Sequence, residues 1–271
     1  MIRPAEPDCA QEVLPLVTII TVVRNGEDFL QETMNSVFAQ DYKNIEYLVL
    51  DGNSDDGTIE IIKNNQQHIS YWQSEPDSGI YNAMNKGIQL ANGLYIGFLN
   101  ASDLLYPDAV SRLAIAHKES FFQYTLGPIH IENPFLNYTS TLNPKKDFSS
   151  QGYKNFEMPA GHLSIFMRAD FIKSLDMFDE QFNLSADLDL MLRAIQKSTD
   201  IWYFQDPVGS FKLGGVSGSY GTALENFYVM KKNKTPFISR LCLVIKSFIG
   251  ITLRFIIPAR ILQQIASGSK D

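Results

Sequence analysis

The chain has 271 residues, of which 45% are hydrophobic, so it can bury a substantial core in one large domain or two small ones. Its 23 Lys and Arg against 30 Asp and Glu give a net charge of −7, which argues against general nucleic-acid binding. The two cysteines, Cys9 and Cys242, lie far apart in the sequence, so we expect no disulfide and a reducing compartment.

The predicted elements begin after a loose, flexible tail, residues 1–14. A β-branched run over 16–23 predicts a strand buried on both faces. The apolar spacing then predicts alternating helices and strands, namely helix 27–40, strand 45–50, helix 58–65, strand 69–72, helix 80–91 and strand 94–99. Four strands with helices between them indicate an α/β protein with a doubly wound, mostly parallel sheet and flanking helices.

Three polar loops that follow predicted strands each carry an acid: Asp51, Asp77 and Asp103. Loops that follow parallel strands share one edge of the sheet, which is where open α/β sheets bind ligands. Carboxylates would repel a phosphate, so we expect a divalent cation, or the hydroxyl and imide donors of a sugar and a base, as their partners. Asp is also an ordinary loop residue, so a single acid would not carry this interpretation.

The second half of the chain is less regular. Its pattern predicts a helix over 108–118, an extended stretch over 121–131, a loop or hairpin over 132–152, a strand over 163–167, a helical turn over 169–175 and a strand over 201–205. Ser185 is predicted to cap a helix whose first turn carries Asp187 and Asp189. Acids at that position are favoured by the helix dipole, or one of them serves a site as a general base. Because they lie two residues apart, only one can face the same site.

The C-terminal segment differs in charge from the rest of the chain. Residues 231–271 contain eight Lys or Arg and one Asp, which predicts an anionic surface as partner. Residues 237–257 are apolar, but their longest uncharged run is seven residues, against the ~20 needed to span a bilayer. Their polar residues cluster on one third of a helical wheel, which predicts a helix lying in a membrane interface. A helix packed on the preceding domain is the alternative.

Four motifs identify a family resemblance. They are V-T-I-I-T at 17–21, D-G-x-S-x-D-G-T at 51–58, S-E-P-D-x-G-I-Y-x-A-M-N-K-G at 74–87 and G-x-L-N at 97–100. In this order they resemble bacterial family 2 glycosyltransferases with the GT-A fold, especially the subgroup that assembles surface polysaccharides. The resemblance covers roughly residues 15–218.

The resemblance implies an inverting transfer of a sugar from a nucleotide sugar, most commonly a UDP-sugar. The implied acceptor is a hydroxyl of a lipid-linked oligosaccharide in O-antigen (lipopolysaccharide), capsule or exopolysaccharide assembly. The family resemblance predicts a GT-A domain over 15–225, with a nucleotide-binding half over 15–103 and an acceptor-binding half over 104–225. A basic, amphipathic, membrane-associating helical tail follows over 226–271. We therefore expect a cytoplasmic protein at the inner face of the plasma membrane, with no nucleic-acid partner.

The resemblance also assigns site residues by matching positions. It implies nucleotide contacts at Thr21, Arg24, Asn25, Asp51, Asp77, Lys86, Asn100, Ala101 and Ser102. It implies that Asp187 is the catalytic base, that His162 lies at the acceptor side, and that a loop closes near the diphosphate through Gly214, Gly215, Val216 and Ser217. Many relatives have an Asp-x-Asp pair where this chain has Asn100 and Ser102, so Asp103 is the candidate ligand for Mn²⁺ or Mg²⁺.

Two other functions stay open on the sequence. A sugar nucleotidyltransferase would usually carry a glycine-rich and basic loop after the first strand, which Arg24-Asn25-Gly26 matches poorly. A non-catalytic subunit that binds a nucleotide sugar is favoured by the missing acids at positions 100 and 102. Release of nucleotide from a donor separates this last case from an enzyme.

Overall fold

The computed structural model describes residues 14–133, 138–145, 158–212 and 219–256. Within those ranges the strands and α-helices are, in chain order, β1 (Val17–Val23), α1 (Leu30–Phe38), β2 (Ile45–Asp51), α2 (Thr58–Asn64), β3 (Tyr71–Ser74), α3 (Ile80–Leu90), β4 (Tyr95–Phe98), β5 (Leu104–Leu105), α4 (Ala109–Glu119), β6 (Tyr124–Leu126), β7 (Ile129–Asn133), β8 (Tyr138–Leu142), β9 (Phe166–Arg168), α5 (Ala169–Lys173), α6 (Ala186–Lys197), β10 (Ile201–Tyr203), β11 (Gly209–Lys212), α7 (Tyr220–Lys232) and α8 (Phe237–Ile256).

The main sheet has seven strands in the order β10-β6-β9-β4-β1-β2-β3. Strand β1 runs parallel to β2 and β4, and β2 runs parallel to β3. Strand β9 is antiparallel to both β4 and β6, and β10 is parallel to β6. All seven residues of β1 are buried, because a central strand has helices on both faces. The predicted mostly parallel α/β sheet is confirmed.

Successive residues of β1 point to opposite faces of the sheet, and each face has its own core. Ile20 and Val22 pack in the core that contains the apolar residues of α3 and α6. Ile19 and Val23 pack in the core that contains those of α1, α2 and α4. Helices therefore cover both faces, as the doubly wound prediction requires.

A second sheet of four strands, in the order β5-β11-β7-β8, lies beyond the end of β4. Strands β7 and β8 are antiparallel, so the predicted loop or hairpin over 132–152 contains a hairpin. The predicted strand over 163–167 is wrong at its start, because residues His162–Ser164 form a 3₁₀ turn. The hydroxyl of Ser164 donates to the carbonyl of Gly161 at 2.9 Å and so closes this turn.

The C-terminal helices extend the domain. Val229 and Met230, near the end of α7, are buried, so the predicted boundary at residue 226 falls inside a helix that belongs to the core. Helix α8 packs against α7 and makes a ring contact with it between Tyr220 and Phe248. None of the helices in the described ranges is long and apolar enough to cross a membrane.

Candidate active site

The loops that follow β1, β2, β3 and β4 meet at one edge of the main sheet, as predicted. A Cβ atom at Gly52 would lie 2.7 Å from Oδ2 of Asp77 and 3.4 Å from Cβ of Arg24. A Cβ atom at Gly26 would lie 3.5 Å from that of Ala101. Gly52 therefore lies where three loops meet, and a larger residue there would require the carboxylate of Asp77 to move.

A cavity of about 410 Å³, here called the main cavity, lies beside this edge. Its walls come from α3, the turn after β4, the second sheet and the N-terminal end of α6. The turn contributes residues 100–103, and His162 and Asp187 also line it. The structure thus brings together the predicted metal ligand, acceptor-side histidine and base, with Asn100, Ala101 and Ser102 of the predicted nucleotide contacts.

Asp103 and His162 form a hydrogen-bonded pair on the cavity wall, in which the carboxylate is buried and the imidazole is partly exposed. Asp103 is 1% exposed, and its Oδ2 lies 3.0 Å from Nε2 of His162, which is 3.2 Å from Nδ2 of Asn100. Burial alone lowers the pKa of the imidazole, but the hydrogen bond with Asp103 and the charges of Asp103 and Asp187 outweigh it and raise the pKa above its ordinary value. The histidine is therefore biased toward its positive form.

The same wall fits a divalent cation. Oδ1 of Asp103 and Oδ1 of Asn100 are buried and have no hydrogen-bond partner in the described part of the chain. Unpartnered buried acceptors cost free energy, and a carboxylate oxygen and an amide oxygen are ligands that suit Mg²⁺ or Mn²⁺. Within the described ranges no group of three or more His, Cys, Asp or Glu side chains is placed to hold a metal. The remaining ligands would come from substrate phosphates, as is usual for Mg²⁺.

Asp187 lies in the first turn of α6 with its carboxylate on the cavity wall. Its Oδ1 accepts hydrogen bonds from the hydroxyl of Tyr81 at 3.2 Å and from the N–H of Leu188 at 2.8 Å. Burial raises the pKa of this carboxyl, and the hydrogen bonds and the charge of His162 offset that only in part. A carboxylate with raised proton affinity is a better general base near neutral pH.

The sequence analysis did not single out Tyr81. Tyr81 lies in the first turn of α3, 106 positions from Asp187 in the sequence. Its place in the 74–87 motif was the available signal. The ring of Tyr81 contacts the ring of Phe178, which in turn contacts the ring of Phe98. These contacts fix the ring of Tyr81 in the cavity wall.

Asp189 faces away from the main cavity, so only one of the two carboxylates lines it, as predicted. It is fully buried and bonds the side chains of Arg193 at 2.7 Å, Lys232 at 3.0 Å and Asn233 at 2.9 Å. Ser185 occupies the N-cap position of α6, but its side chain makes no capping hydrogen bond, so the predicted cap is wrong.

Two predicted nucleotide contacts are buried in the structure. The hydroxyl of Thr21 lies 3.0 Å from that of Tyr47, inside the sheet. The carboxylate of Asp51 is 3% exposed and accepts hydrogen bonds from Ser54 and Ser74. These bonds give both residues a structural role in this arrangement, and their contact with a nucleotide stays a prediction.

Four more predicted nucleotide contacts do not line the main cavity. Arg24, Asn25 and Asp77 lie in the loops of this edge, and Lys86 lies on α3. Asp77 accepts a hydrogen bond from the N–H of Gly79 at 2.9 Å, and Lys86 pairs with Glu75 at 2.6 Å. The predicted closing loop, Gly214, Gly215, Val216 and Ser217, lies outside the described residues.

Comparison with known sequences finds similarity to glycosyltransferases. A family model described as glycosyl transferase family 2 matches residues 18–175, which include the loops after β1 to β4 and His162. An uncharacterized glycosyltransferase of Mycobacterium tuberculosis is 32% identical over 186 residues, which are 66% of this chain and 69% of that protein. A chondroitin synthase of Pasteurella multocida is 26% identical over 237 residues, which are 81% of this chain and 22% of that protein.

Solved structures share the fold. The mannosyltransferase PcManGT from Pyrobaculum calidifontis, in complex with GDP-Man and Mn²⁺, aligns over 94% of this chain and 79% of that chain, with a TM-score of 0.64 and 13% identity. S. aureus TarS 1-349 in complex with UDP-GlcNAc aligns over 88% of this chain and 73% of that chain, with a TM-score of 0.59 and 14% identity. At such low identity the likeness is one of fold, and it confirms the predicted GT-A architecture.

Proposed function

Because this chain belongs to glycosyltransferase family 2, we propose that it moves a sugar from a UDP-sugar to a hydroxyl group of a lipid-linked oligosaccharide, with inversion at the anomeric carbon. The observation that carries the proposal is the position of Asp103, His162 and Asp187 around one cavity at the ligand-binding edge of the sheet. TarS was solved with UDP-GlcNAc and PcManGT with GDP-Man, which supports a nucleoside diphosphate sugar as donor.

Asp187 is the group we assign as general base. Its carboxylate takes the proton of the acceptor hydroxyl while that oxygen forms a bond to the anomeric carbon of the donor. The bond from this carbon to the diphosphate oxygen breaks, and its electron pair leaves with the nucleotide. Attack from the face opposite the leaving group inverts the configuration. Tyr81 donates to the carboxylate and so orients it for this step.

Asp103 and Asn100 are the residues we assign to a divalent cation, with His162 beside them. Such a cation, when bound, supplies positive charge that stabilises the diphosphate as a leaving group. The imidazole of His162 lies on the same wall, with its Nε2 3.0 Å from Oδ2 of Asp103. This set explains how a site without the acid pair at positions 100 and 102 can accept a diphosphate.

The membrane proposal rests on α8. Its exposed residues include Phe237, Ile238, Leu241, Ile245 and Ile249, and the segment from 231 onward carries an excess of seven positive charges. An apolar face beside basic residues is typical of a helix in a membrane interface. We propose that α8 holds the enzyme at the membrane face, next to a lipid-linked acceptor.

The test of the proposed transfer is release of nucleotide from a panel of UDP-, GDP- and dTDP-sugars, with Mn²⁺, Mg²⁺ or EDTA, in the presence of membrane lipid extract. We expect release from one donor, its loss in EDTA, and incorporation of that donor's sugar into lipid. Asp187→Asn should lower transfer by about 10²–10⁴ because it removes the base. Asp170→Asn, a change at an exposed carboxylate on α5, is the control.

Two outcomes would contradict the proposal. Tight nucleotide binding with no release from any donor, even with lipid extract, would favour a non-catalytic binding subunit. Equal transfer by wild type and Asp187→Asn would assign the base elsewhere.

A further inference from the structure

A second cavity, of about 200 Å³, lies between the N-terminal end of α6 and the helices α7 and α8. It adjoins the main cavity, because Met158, Leu184 and Asp187 line both. Asp187 can therefore be reached from two sides. The transfer proposed above uses only the side that faces Asp103 and His162.

The lining of the second cavity combines polar and apolar groups. Hydroxyl and amide side chains come from Ser185, Thr222, Asn226 and Ser247, and they alternate with aliphatic side chains of the three helices. Sugar rings present the same combination, since they carry hydroxyls around the rim and C–H groups on their faces. The volume lies below the ~300–1,000 Å³ of sites for drug-sized ligands, so it suits one ring rather than an extended chain.

The buried hydroxyl of Ser185 indicates that this cavity binds a ligand. The residue is 1% exposed, and its Oγ has no hydrogen-bond partner in the part of the chain that the structure describes. A serine at an N-cap ordinarily accepts a backbone N–H of the first turn, and this one does not. A buried hydroxyl without a partner costs free energy, which a ligand hydroxyl in the second cavity would recover.

We propose that the second cavity binds one sugar unit of the acceptor, adjacent to the unit whose hydroxyl faces Asp187, with Oγ of Ser185 as a hydrogen-bonding group. This inference rests on the proposed glycosyl transfer. Because α8 forms one wall through Leu243 and Val244, an acceptor anchored in a membrane under α8 would reach Asp187 through this cavity.

The experiment measures sugar binding directly by saturation-transfer NMR. The probes are the methyl glycosides of glucose, galactose and N-acetylglucosamine, each titrated into the full chain. Ser185→Ala should weaken binding of at least one glycoside about three- to tenfold, as expected for one lost hydrogen bond. Ala223→Met, which fills the cavity from α7, should abolish it. Ser120→Ala, at an exposed serine after α4, should leave it unchanged.

Unfolding is monitored in parallel, and Ser185→Ala should not lower the melting temperature, since it removes an unpartnered hydroxyl. Equal glycoside binding in wild type and both cavity variants would overturn the inference, as would no saturation transfer to any of the three glycosides. Octyl glucoside is an added probe, because it carries both a sugar ring and an alkyl chain. If Ala223→Met loses saturation transfer to the alkyl protons alone, the cavity binds lipid, and the sugar-binding inference is overturned. Failure of the proposed transfer is separate, because it appears as absent nucleotide release.

Discussion

The environment of Asp187 sets both its reactivity and its effect on stability. Burial raises its pKa in the folded protein, so the folded state holds the proton more tightly than the unfolded chain does. The free energy of unfolding therefore falls as pH rises from the unfolded-state pKa through the raised folded-state pKa, and the full cost is present above both. Near neutral pH the charged carboxylate destabilises the fold that it serves.

Asp187→Asn is therefore expected to raise the melting temperature near neutral pH, because the amide has no charge to bury and keeps an oxygen for the hydroxyl of Tyr81. The gain should shrink as pH falls and should vanish below about 4, where Asp187 becomes protonated in the unfolded chain as well as in the folded state. Differential scanning fluorimetry of wild type and variant across this range measures it. A lower melting temperature for the variant near neutral pH would mean that the bonds from Tyr81 and Leu188 to the charged form outweigh the cost of burial.

At the scale of elements, helix α6 is linked to α7 by a charge cluster around the buried carboxylate of Asp189. Asp189 on α6 contacts Arg193 on the same helix and Lys232 on α7, and Lys232 also pairs with Asp179 at 2.8 Å. Arg193 in turn donates to the carbonyl of Met177 at 2.8 Å. The cluster fixes the position of α6, and hence of Asp187, against two neighbouring segments.

Asp189→Ala should lower the free energy of unfolding by about 1.5–3 kcal/mol, because it removes the fully buried acceptor of hydrogen bonds from Arg193, Lys232 and Asn233. The chain offers a control, since Asp108, at the N-cap of α4, and Arg112 have the same i, i+4 spacing but the carboxylate is exposed. Asp108→Ala should lower the free energy of unfolding by less than about 1 kcal/mol. Urea denaturation of both variants measures the two losses. Similar losses in both variants would show that the Asp189 cluster contributes no more than a surface ion pair.

At the scale of the whole molecule, the sequence predicts those structural features that local residue patterns determine. The strands and helices up to β4 follow from hydrophobic runs of the correct period, and the shared loop edge follows from the parallel order of β1, β2 and β4. The positions of the polar turn at 100–103 and of Asp187 on the cavity wall agree with the matching of motifs, and the role of Asp187 as a base stays a prediction. These features depend on neighbouring residues in the sequence.

The features that the sequence did not predict depend on long-range packing. Oδ2 of Asp103 meets a ring nitrogen 59 positions away, and the hydroxyl of Tyr81 meets Asp187. Ser185 carries the signature of a cap but faces a cavity that exists only because α7 and α8 fold back on α6. Spacing within one segment contains no information on such contacts.

The orientation of α8 also depends on this packing. The helical wheel placed Arg240 and Ser247 on a polar face toward solvent. In the structure Arg240 lies over the rings of Phe227 and Phe237, and Ser247 lines the second cavity. The helix packs on α7 and still exposes Leu241 and Ile245. The structure therefore shows the packed helix, and the exposed residues are compatible with the interfacial helix, which stays a prediction.

The proposed membrane contact would be made by the exposed apolar residues of α8. We expect the full chain to float with vesicles that contain phosphatidylglycerol more than with pure phosphatidylcholine, and less so in high salt, because the C-terminal segment is basic. Ile245→Glu should weaken binding at least about tenfold, since burying an Ile side chain contributes about 1.5–3 kcal/mol. Ile115→Glu, at an equally exposed isoleucine on α4, should bind like wild type. If both variants float equally well, α8 is not the membrane contact, and the acceptor must reach Asp187 without it.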